Sequence, residues 1–369
     1  MPLYTDSDSS MDYLRYPTFG PLPSCLRSKK DTIRCKNGGI IRFLLRQSDM
    51  KPICADCGTE IMPAKPAAMF RLSRPEKPLF QIVNPDHSRV DYILHPDGTV
   101  RTLNRHNCKV ETAFSGDHIV SIASGNDHVV ALRSDGTVAA LGDNNLPQCQ
   151  VQDWTDIVAI AATHNGTFGL RSDGTVVTTH SGEWAEQFKS WSEITAIAAS
   201  KYKVIGVRSN GTIISSGWED DAECRADEWT DIKQIAVSFG YTAGLTKNGT
   251  VRAVGFNGNG QCDVGSWRGI TAIYSDGILT CGLREDGSIL ATCGATKGTF
   301  SVLDRILYNE LAWIKRSIES WKNVEQLALA HNFIAALHRD GSFSFLVMHF
   351  GSPTIRRPML QRALKKALA

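Results

Sequence analysis

Residues 229–255 read WTDIKQIAVSFGYTAGLTKNGTVRAVG, and variants of this stretch recur along the chain. Each variant carries an Asp-Gly or Asn-Gly pair, whose glycine serves as a marker: Gly98, Gly136, Gly174, Gly211, Gly249, Gly287 and Gly341. Five of these glycines follow a tryptophan at a distance of 20 residues: Trp154, Trp191, Trp229, Trp267 and Trp321. Two markers that stay in register over several copies indicate an internal repeat of about 38 residues, which is typical of a repeat architecture.

The residue pattern within each unit predicts strands rather than helices. Apolar residues follow the tryptophan at positions +3 and +6, as in Ile232 and Ile235, but small and polar residues follow so soon that only a strand fits. The Asp/Asn-Gly pair between two further apolar runs predicts a hairpin with a type I′ turn. A weaker fourth strand is expected before the next tryptophan.

Seven such sheets can bury both faces only against each other, and radial closure leaves no long free edge. We therefore predict an all-β fold, a seven-bladed β-propeller, with a linear solenoid as the alternative. The first unit lacks the tryptophan and the last ends near Val347 without a clear fourth strand. We expect an N-terminal segment, either 38–45 or 79–83, to complete the first or the last blade.

Two short motifs in these units resemble a known repeat. Gly125-x-x-His128 precedes the run Ala131–Val138, and Gly255-x-Asn257-x-x-Gly260-Gln261 follows a later unit. Both are similar to the regulator of chromosome condensation repeat, over residues 86–347, and the short period resembles bacterial members such as the β-lactamase-inhibiting propellers. The second motif is complete only at Gly260-Gln261. The resemblance implies a propeller that acts as an exchange factor, an inhibitor or an interaction scaffold.

Composition narrows the class of protein. No apolar stretch approaches the roughly 20 residues that span a bilayer, and the polar, acidic start does not resemble a secretory signal. The ten cysteines lack disulfide-type spacing, so we expect reduced thiols and an intracellular, cytoplasmic location. Sequence motifs for hydrolases, P-loop enzymes, zinc proteases and dinucleotide binding are missing, which predicts a protein without enzymatic activity.

The N-terminal part predicts three segments: a disordered lead over 1–20, a cysteine-rich module over 21–62 and a proline-rich linker over 63–85 that lies on the ring. The module holds four candidate metal ligands: Cys25, Cys35, Cys54 and Cys57. Cys54-x-x-Cys57 has the spacing of a zinc knuckle, whereas the other two cysteines are too far apart for a standard ribbon. A structural zinc ion, free thiols and a redox pair remain as alternatives.

Two helices are expected outside the strands. An insert at 299–321, within the propeller at 86–348, spaces its apolar residues at helical intervals and either docks a partner or packs on the ring edge. The segment 349–369 predicts a basic C-terminal helix that either packs on the rim or meets an anionic membrane, nucleic acid or acidic protein. Basic residues dominate both ends of the chain, whereas acids dominate 86–294.

Function is expected on the loops that differ between units, because loops on a rigid scaffold are where specificity is placed. The candidate partner-binding residues are His128, Trp184, Tyr202, Trp218, Asp220, Asp221, Phe239, Tyr241, Phe256 and Phe333. We predict a non-enzymatic propeller that binds a protein through this loop face. A guanine-nucleotide exchange factor for a small GTPase and a nucleic-acid-associated protein with basic termini are the alternatives. The sequence does not predict an oligomeric state.

Overall fold

The computed structural model of the chain describes residues 26–29, 32–35, 43–45, 52–54, 72–75, 77–85, 90–143, 145–217, 226–238, 240–292, 302–330, 333–347 and 357–369. The chain divides into two units, residues 1–70 and 71–369. The first contains two antiparallel pairs, β1 (Leu26–Lys29) with β2 (Thr32–Cys35), and β3 (Phe43–Leu45) with β4 (Pro52–Cys54).

The second unit is a seven-bladed, all-β propeller of antiparallel sheets with short helical additions. Its first blade consists of β5 (Gln81–Val83), β6 (Val90–Leu94), β7 (Val100–Asn104) and β8 (Val110–Ala113). The second and third blades are β9 (Ile119–Ser124), β10 (His128–Arg133) and β11 (Val138–Gly142), then β12 (Ile157–Thr163), β13 (Gly166–Arg171) and β14 (Val176–Thr178). The fourth and fifth are β15 (Ile194–Ala199), β16 (Lys203–Arg208) and β17 (Ile213–Gly217), then β18 (Ile232–Ser238), β19 (Tyr241–Thr246) and β20 (Val251–Gly255). The sixth and seventh are β21 (Ile270–Ser275), β22 (Thr280–Arg284) and β23 (Ile289–Ala291), then β24 (Val324–Ala330), β25 (Phe333–His338) and β26 (Phe343–Val347).

The first strand of each blade packs against the first strands of its neighbours. This succession runs from β5 through β9, β12, β15, β18 and β21 to β24, and β24 packs against β5. At the last step the Phe80 amide donates a hydrogen bond to Oε1 of Gln326, at 2.7 Å. The chain therefore closes a circle, so the solenoid alternative is wrong, and the segment 79–83 supplies the inner strand of the first blade.

A bulge explains the apolar spacing that precedes each turn. Residues three apart on a regular strand point to opposite faces, yet Ile232 and Ile235 are both buried in one cluster. The pairing of β18 with β19 shifts between Ile232 and Gln234, and the same shift recurs in the first strands of the third, fourth, sixth and seventh blades. The extra residue in this β-bulge shifts the alternation of side chains by one position, so both isoleucines point to the same face of the sheet.

The Asp/Asn-Gly turns differ from the predicted type I′ geometry. All seven marker glycines have φ between 77° and 86°, whereas the preceding Asp or Asn does not have positive φ. The Gly136 amide donates to the Arg133 carbonyl at 3.0 Å, which matches a type I turn followed by a left-handed glycine. The cause lies in the side chain, because Oδ1 of Asp135 accepts the Thr137 amide at 2.8 Å. That hydrogen bond, together with one from the Thr137 hydroxyl, lowers the pKa of the Asp135 carboxyl.

Connector tryptophans fill the seams between blades. Trp191 is buried in the third-to-fourth seam, against the backbone of Gly206. A Cβ at Gly206 would lie 2.7 Å from Cζ3 of the tryptophan, so the ring requires glycine there. The same pairing joins Trp154 to Gly169, Trp229 to Gly244 and Trp267 to Gly282. The corresponding residue is Ala131 in the second blade, which no tryptophan precedes, and Ala336 in the seventh blade, where Trp321 is only partly buried.

The prediction of a fourth strand in every unit is wrong for the described parts of the second to seventh blades. In place of that strand, the connectors that follow the second, third and sixth blades form a 3-10 turn at Pro147–Cys149 and the helices α1 (Gly182–Phe188) and α2 (Val302–Glu319). Each connector must bring its last residues into the seam, as with Trp191 after α1. A strand paired at the blade edge would hold those residues at the rim instead.

Both longer helices pack on the ring. Leu311, Ile314 and Ile318 of α2 are buried in the cluster between the sixth and seventh blades. The last helix, α3 (Arg357–Leu368), buries its apolar side in the cluster formed by the first and seventh blades. Within the residues that the structure describes, neither these helices nor any other is long and apolar enough to cross a bilayer.

Candidate partner-binding surface

The two ends of the ring carry different segments. Strands alternate in direction, so the Asp/Asn-Gly turns lie on one side, the turn face, and the first-to-second loops and third-strand connectors lie on the other, the loop face. On the turn face the carbonyl of each marker glycine before the last, such as Gly136, accepts the amide of the first residue of the next blade, here Ile157 at 3.0 Å. Structural contacts therefore occupy the turn face.

Backbone hydrogen bonds hold the inner loops of the loop face together. The Asn126 amide donates to the His164 carbonyl at 3.1 Å, and the His164 amide donates to the Lys201 carbonyl at 2.9 Å. These three loops belong to consecutive blades, the second, third and fourth. The surface that they form is fixed before any partner arrives, which reduces the ordering cost of binding.

Tyr202 projects from this surface. Its side chain is 42% exposed, as predicted from its place in the loop. The ring lies 5.8 Å from that of His164, and the Lys201 Nζ atom lies 5.4 Å from its centroid, a distance at which a cation is attracted to the aromatic face. Its neighbours therefore orient the tyrosine, while part of the ring faces solvent.

Trp184 lies on α1, in the connector between the third and fourth blades, and is half-buried. Its indole Nε1 donates to Ser216 Oγ at 3.1 Å, and its ring contacts His180 at a centroid distance of 4.0 Å. Burial lowers the pKa of His180 to about 4, so this imidazole is neutral at pH 7. The sequence did not predict a role for His180. Gly166 is the residue that could have indicated it, because a Cβ at that glycine would overlap the imidazole.

Two connectors add exposed apolar residues on either side of this pair. Phe256, after the third strand of the fifth blade, is 49% exposed, and Leu146, in the connector of the second blade, is 47% exposed. The sequence predicted Phe256 but missed Leu146. Together, Leu146, Trp184, Tyr202 and Phe256 form an arc over the second to fifth blades, called the apolar arc below.

Exposed acids surround the apolar arc. The loops and connectors of the same blades carry Asp127, Asp143, Glu183 and Asp263, and all four side chains are exposed. Lys201 and Lys203 are less exposed. Apolar anchors within a charged rim are the composition that marks protein interfaces.

Three other predicted residues do not reach this surface. His128, Tyr241 and Phe333 are 1% exposed or less, so the expectation that their side chains are exposed is wrong. Each is the first residue of its blade's second strand. Because the preceding loop is short, that position already points into the seam between blades.

Two of these buried residues belong to a hydrogen-bonded chain that occurs twice. Nε2 of His128 lies 3.0 Å from the Thr167 hydroxyl, which donates to the Gln148 carbonyl at 2.7 Å. The Tyr241 oxygen lies 3.2 Å from the Thr280 hydroxyl, which donates to the carbonyl of Gln261 at 2.8 Å. Burial lowers the pKa of His128 to about 4, so a neutral ring donates to the threonine.

The sequence missed Gln148 as the counterpart of Gln261 in these chains. Both lie six residues after the glycine that ends the third strand, Gly142 or Gly255. The residue just before the glutamine differs, Pro147 in one unit and Gly260 in the other, which hid the correspondence.

Six of the predicted residues lie outside the described part of the chain: Trp218, Asp220, Asp221, Phe239, Cys25 and Cys57. Cys35 and Cys54 end β2 and β4. No group of three or more metal-ligating side chains occurs among the residues that the structure describes. The zinc site therefore stays a prediction. Among the described residues, Cys108, Cys149, Cys262 and Cys281 form no disulfide bond.

Sequence comparison identifies the repeat in two units. Residues 119–146 and 232–261 match the Regulator of chromosome condensation (RCC1) repeat. These are the second and fifth units, which contribute His128 and Tyr241 to the two hydrogen-bonded chains. A search of curated protein sequences finds no match. The similarity to bacterial β-lactamase-inhibiting propellers stays a prediction.

Solved structures with a similar fold include two plant receptor-kinase ectodomains. The CRINKLY WD40 ectodomain of the Arabidopsis thaliana receptor kinase ACR4 is 12% identical, covers 74% of this chain and 96% of its own, and has a TM-score of 0.54. The entire ectodomain of the Physcomitrella patens receptor kinase CR4 is 15% identical, covers 79% of this chain and 84% of its own, and has a TM-score of 0.53. Saccharomyces cerevisiae Prp20p, described with its binding to Gsp1p and histones, is 14% identical over 57% of this chain and 70% of its own, with a TM-score of 0.44. At these identities the two ectodomains support the fold and identify no partner.

Proposed function

We propose that the chain is a non-enzymatic protein-binding module whose partner docks on the loop face, over the apolar arc. The proposal starts from the fold, which is an RCC1-like repeat propeller. The observation that carries this proposal is the exposure of three apolar side chains, Leu146, Tyr202 and Phe256, on one face of the ring that also holds the half-buried Trp184. Tyr202 and Phe256 are the most exposed aromatic residues of that group. Single exposed apolar residues are ordinary, but several on one fixed surface are typical of an interface.

The surroundings of the apolar arc support a specific rather than a general adhesive role. The inner loops are held by backbone hydrogen bonds, and Trp184 is oriented by Ser216 and His180. Rigid aromatic anchors lose little side-chain freedom on binding, which is why they dominate interface energetics. The exposed acids at the rim would favour a partner surface that carries lysine or arginine, because complementary charge speeds association.

The pair of substitutions Tyr202→Ser and Phe256→Ser tests the proposal. Each removes an exposed ring without disturbing the buried seams, so the thermal unfolding temperature is expected to stay that of the wild type. Retention of the partner protein is expected to fall roughly tenfold or more, the effect of losing at least 1.4 kcal/mol of interface energy. Quantitative affinity capture from the native source, followed by titration of the captured protein, measures this.

A matched control uses exposed apolar residues outside the loop face. Leu79 is 41% exposed and Met359 is 59% exposed, and the double substitution of both by serine changes the apolar surface by a similar amount. This control is expected to retain the partner. Equal retention by both double variants, or loss in the control alone, would contradict a loop-face site.

A further inference from the structure

The seam between the first and seventh blades is closed differently from the others. From the second blade to the seventh, each seam is filled by the covalent connector of its two blades, as with Trp191 after α1. The first and seventh blades stand at opposite ends of the chain and have no connector. The apolar residues Ala363, Leu364, Ala367 and Leu368 of α3 fill this seam instead, packed between residues of both blades such as Ile93 and Ala335.

The first blade also binds the end of this helix through polar contacts. The last carbonyls of a helix lack partners within the helix. Here Nε2 of His95 lies 2.7 Å from the Ala367 carbonyl, and Nη1 of Arg101 donates to the Lys366 carbonyl at 3.1 Å. A cation at a helix C-terminus also stabilises the helix dipole. The seam is therefore shaped and polarised to receive a helix that ends at this point.

One buried acid in the same seam lacks the partners that its position has elsewhere. Asp91 lies seven residues before its marker glycine, as do Thr167 and Thr280 in the two hydrogen-bonded chains. It is 0% exposed, and neither carboxylate oxygen has a hydrogen-bond partner among the described residues. In the ring, the seventh blade precedes the first. At the position of His128 and Tyr241 in the other two seams, the seventh blade has Phe333. The ion-pair partner of Asp91 is Arg105, whose Nε lies 3.5 Å from Oδ1.

We propose that α3 binds this seam reversibly. We further propose that ionisation of Asp91 weakens the binding of α3 to the seam as the pH rises. Ionisation places a negative charge in an apolar seam, and release of α3 lets water reach it. The proposal is independent of any partner on the loop face. It assigns the twelve residues of α3 a role as a reversible closure of the ring.

The titration of Asp91 sets the pH range. Burial raises its pKa to about 7, against the opposing charge of Arg105. A carboxyl whose pKa is raised in the closed state favours closure below about pH 4, and that contribution is lost as the pH rises towards 7. The cluster residues of the seventh blade are apolar and its polar seam residue Gln326 carries no charge, while Arg362, Lys365 and Lys366 of α3 are exposed.

His95 acts in the opposite direction. Burial is the main cause that lowers its pKa, and Arg101 also lowers it, whereas the hydrogen bond to the Ala367 carbonyl and the charge of Asp97 raise it. Protonation of His95 therefore favours the open seam at acid pH. An experiment that compares the wild type with Asp91→Asn at each pH cancels this contribution, because both proteins contain His95.

Hydrogen exchange on the full-length chain tests the proposal. Amide protection is measured for α3 in the wild type and in Asp91→Asn at pH 6 and pH 8, corrected for intrinsic exchange rates, with α2 in the sixth-to-seventh seam as the internal reference. The quantity of interest is the quotient of two opening equilibrium constants of α3, that of the wild type divided by that of Asp91→Asn. This quotient is expected to rise about tenfold from pH 6 to pH 8. The same quotient for α2 is expected to stay constant.

Two results would overturn the proposal. One is a quotient for α3 that changes less than twofold between pH 6 and pH 8. The other is an equal change for α2, which would indicate global unfolding rather than release of one helix. Lys365→Gln, on the exposed side of α3, is the control for a nonspecific loss of charge. The opening equilibrium of α3 in this variant is expected to equal that of the wild type at both pH values.

Discussion

Replacing Leu364 with aspartate is expected to lower the free energy of unfolding by about 4 kcal/mol. Leu364 is 0% exposed at the centre of the cluster that joins the first blade, the seventh blade and α3. The substitution removes its buried methyl groups and places a carboxylate in the seam, so the helix can no longer dock. Chemical denaturation followed by circular dichroism measures the change.

The control is the adjacent residue. Lys365 lies on the exposed side of the same helix, so Lys365→Asp changes a charge by more than Leu364→Asp does without entering the seam. Its expected effect is about 0.5 kcal/mol or less. If both variants lose the same stability, or if neither does, α3 does not close the ring.

Replacing Trp191 with alanine is expected to lower the free energy of unfolding by about 3–5 kcal/mol, the range for a buried aromatic residue. Trp191 is 2% exposed and fills the seam between the third and fourth blades together with Phe188 and Ile194. Removing it leaves a cavity that two rigid sheets cannot collapse to fill. Equilibrium denaturation of the purified variant checks the size of the effect.

The pairing of Trp191 with Gly206 makes a sharper test through a double-mutant cycle. A Cβ at Gly206 would lie 2.7 Å from the tryptophan ring, so Gly206→Ala alone is expected to cost about 1–3 kcal/mol through overpacking. In the Trp191→Ala background the methyl group meets only the end of the Ile194 side chain, at 3.2 Å, and is expected to cost much less. Additive effects in the double variant would show that the two positions do not constrain each other.

Most of the propeller could be predicted from local signals that repeat. The tryptophan and the Asp/Asn-Gly pair stay in register because each has a fixed physical role, Trp191 in a seam and Gly136 at a left-handed turn position. The apolar side of α3 was likewise visible in the spacing of Leu364 and Leu368. These features depend on residues close in sequence, and so the pattern alone identifies them.

The errors arose where a tertiary contact or a specific side-chain hydrogen bond decides the outcome. Tyr241 follows a loop and looked exposed, but the neighbouring blade buries it and its hydroxyl donates to the Leu279 carbonyl at 2.9 Å. The turn type depends on a side-chain hydrogen bond that composition does not reveal, as at Asp135. Leu146 was missed because an exposed leucine carries no signal until the fold places it beside other apolar residues on one surface.

Site-specific photocrosslinking most directly tests whether the loop face binds the partner. A photoreactive phenylalanine analogue is placed at Tyr202 or Phe256 and, in separate proteins, at the exposed turn residues Asn210 or Asn248 of the same two blades. The loop-face positions are expected to give covalent adducts with one protein from the native source, and the turn positions are expected to give none. Adducts with that protein at the turn positions, or equal yields on both faces, would contradict the account.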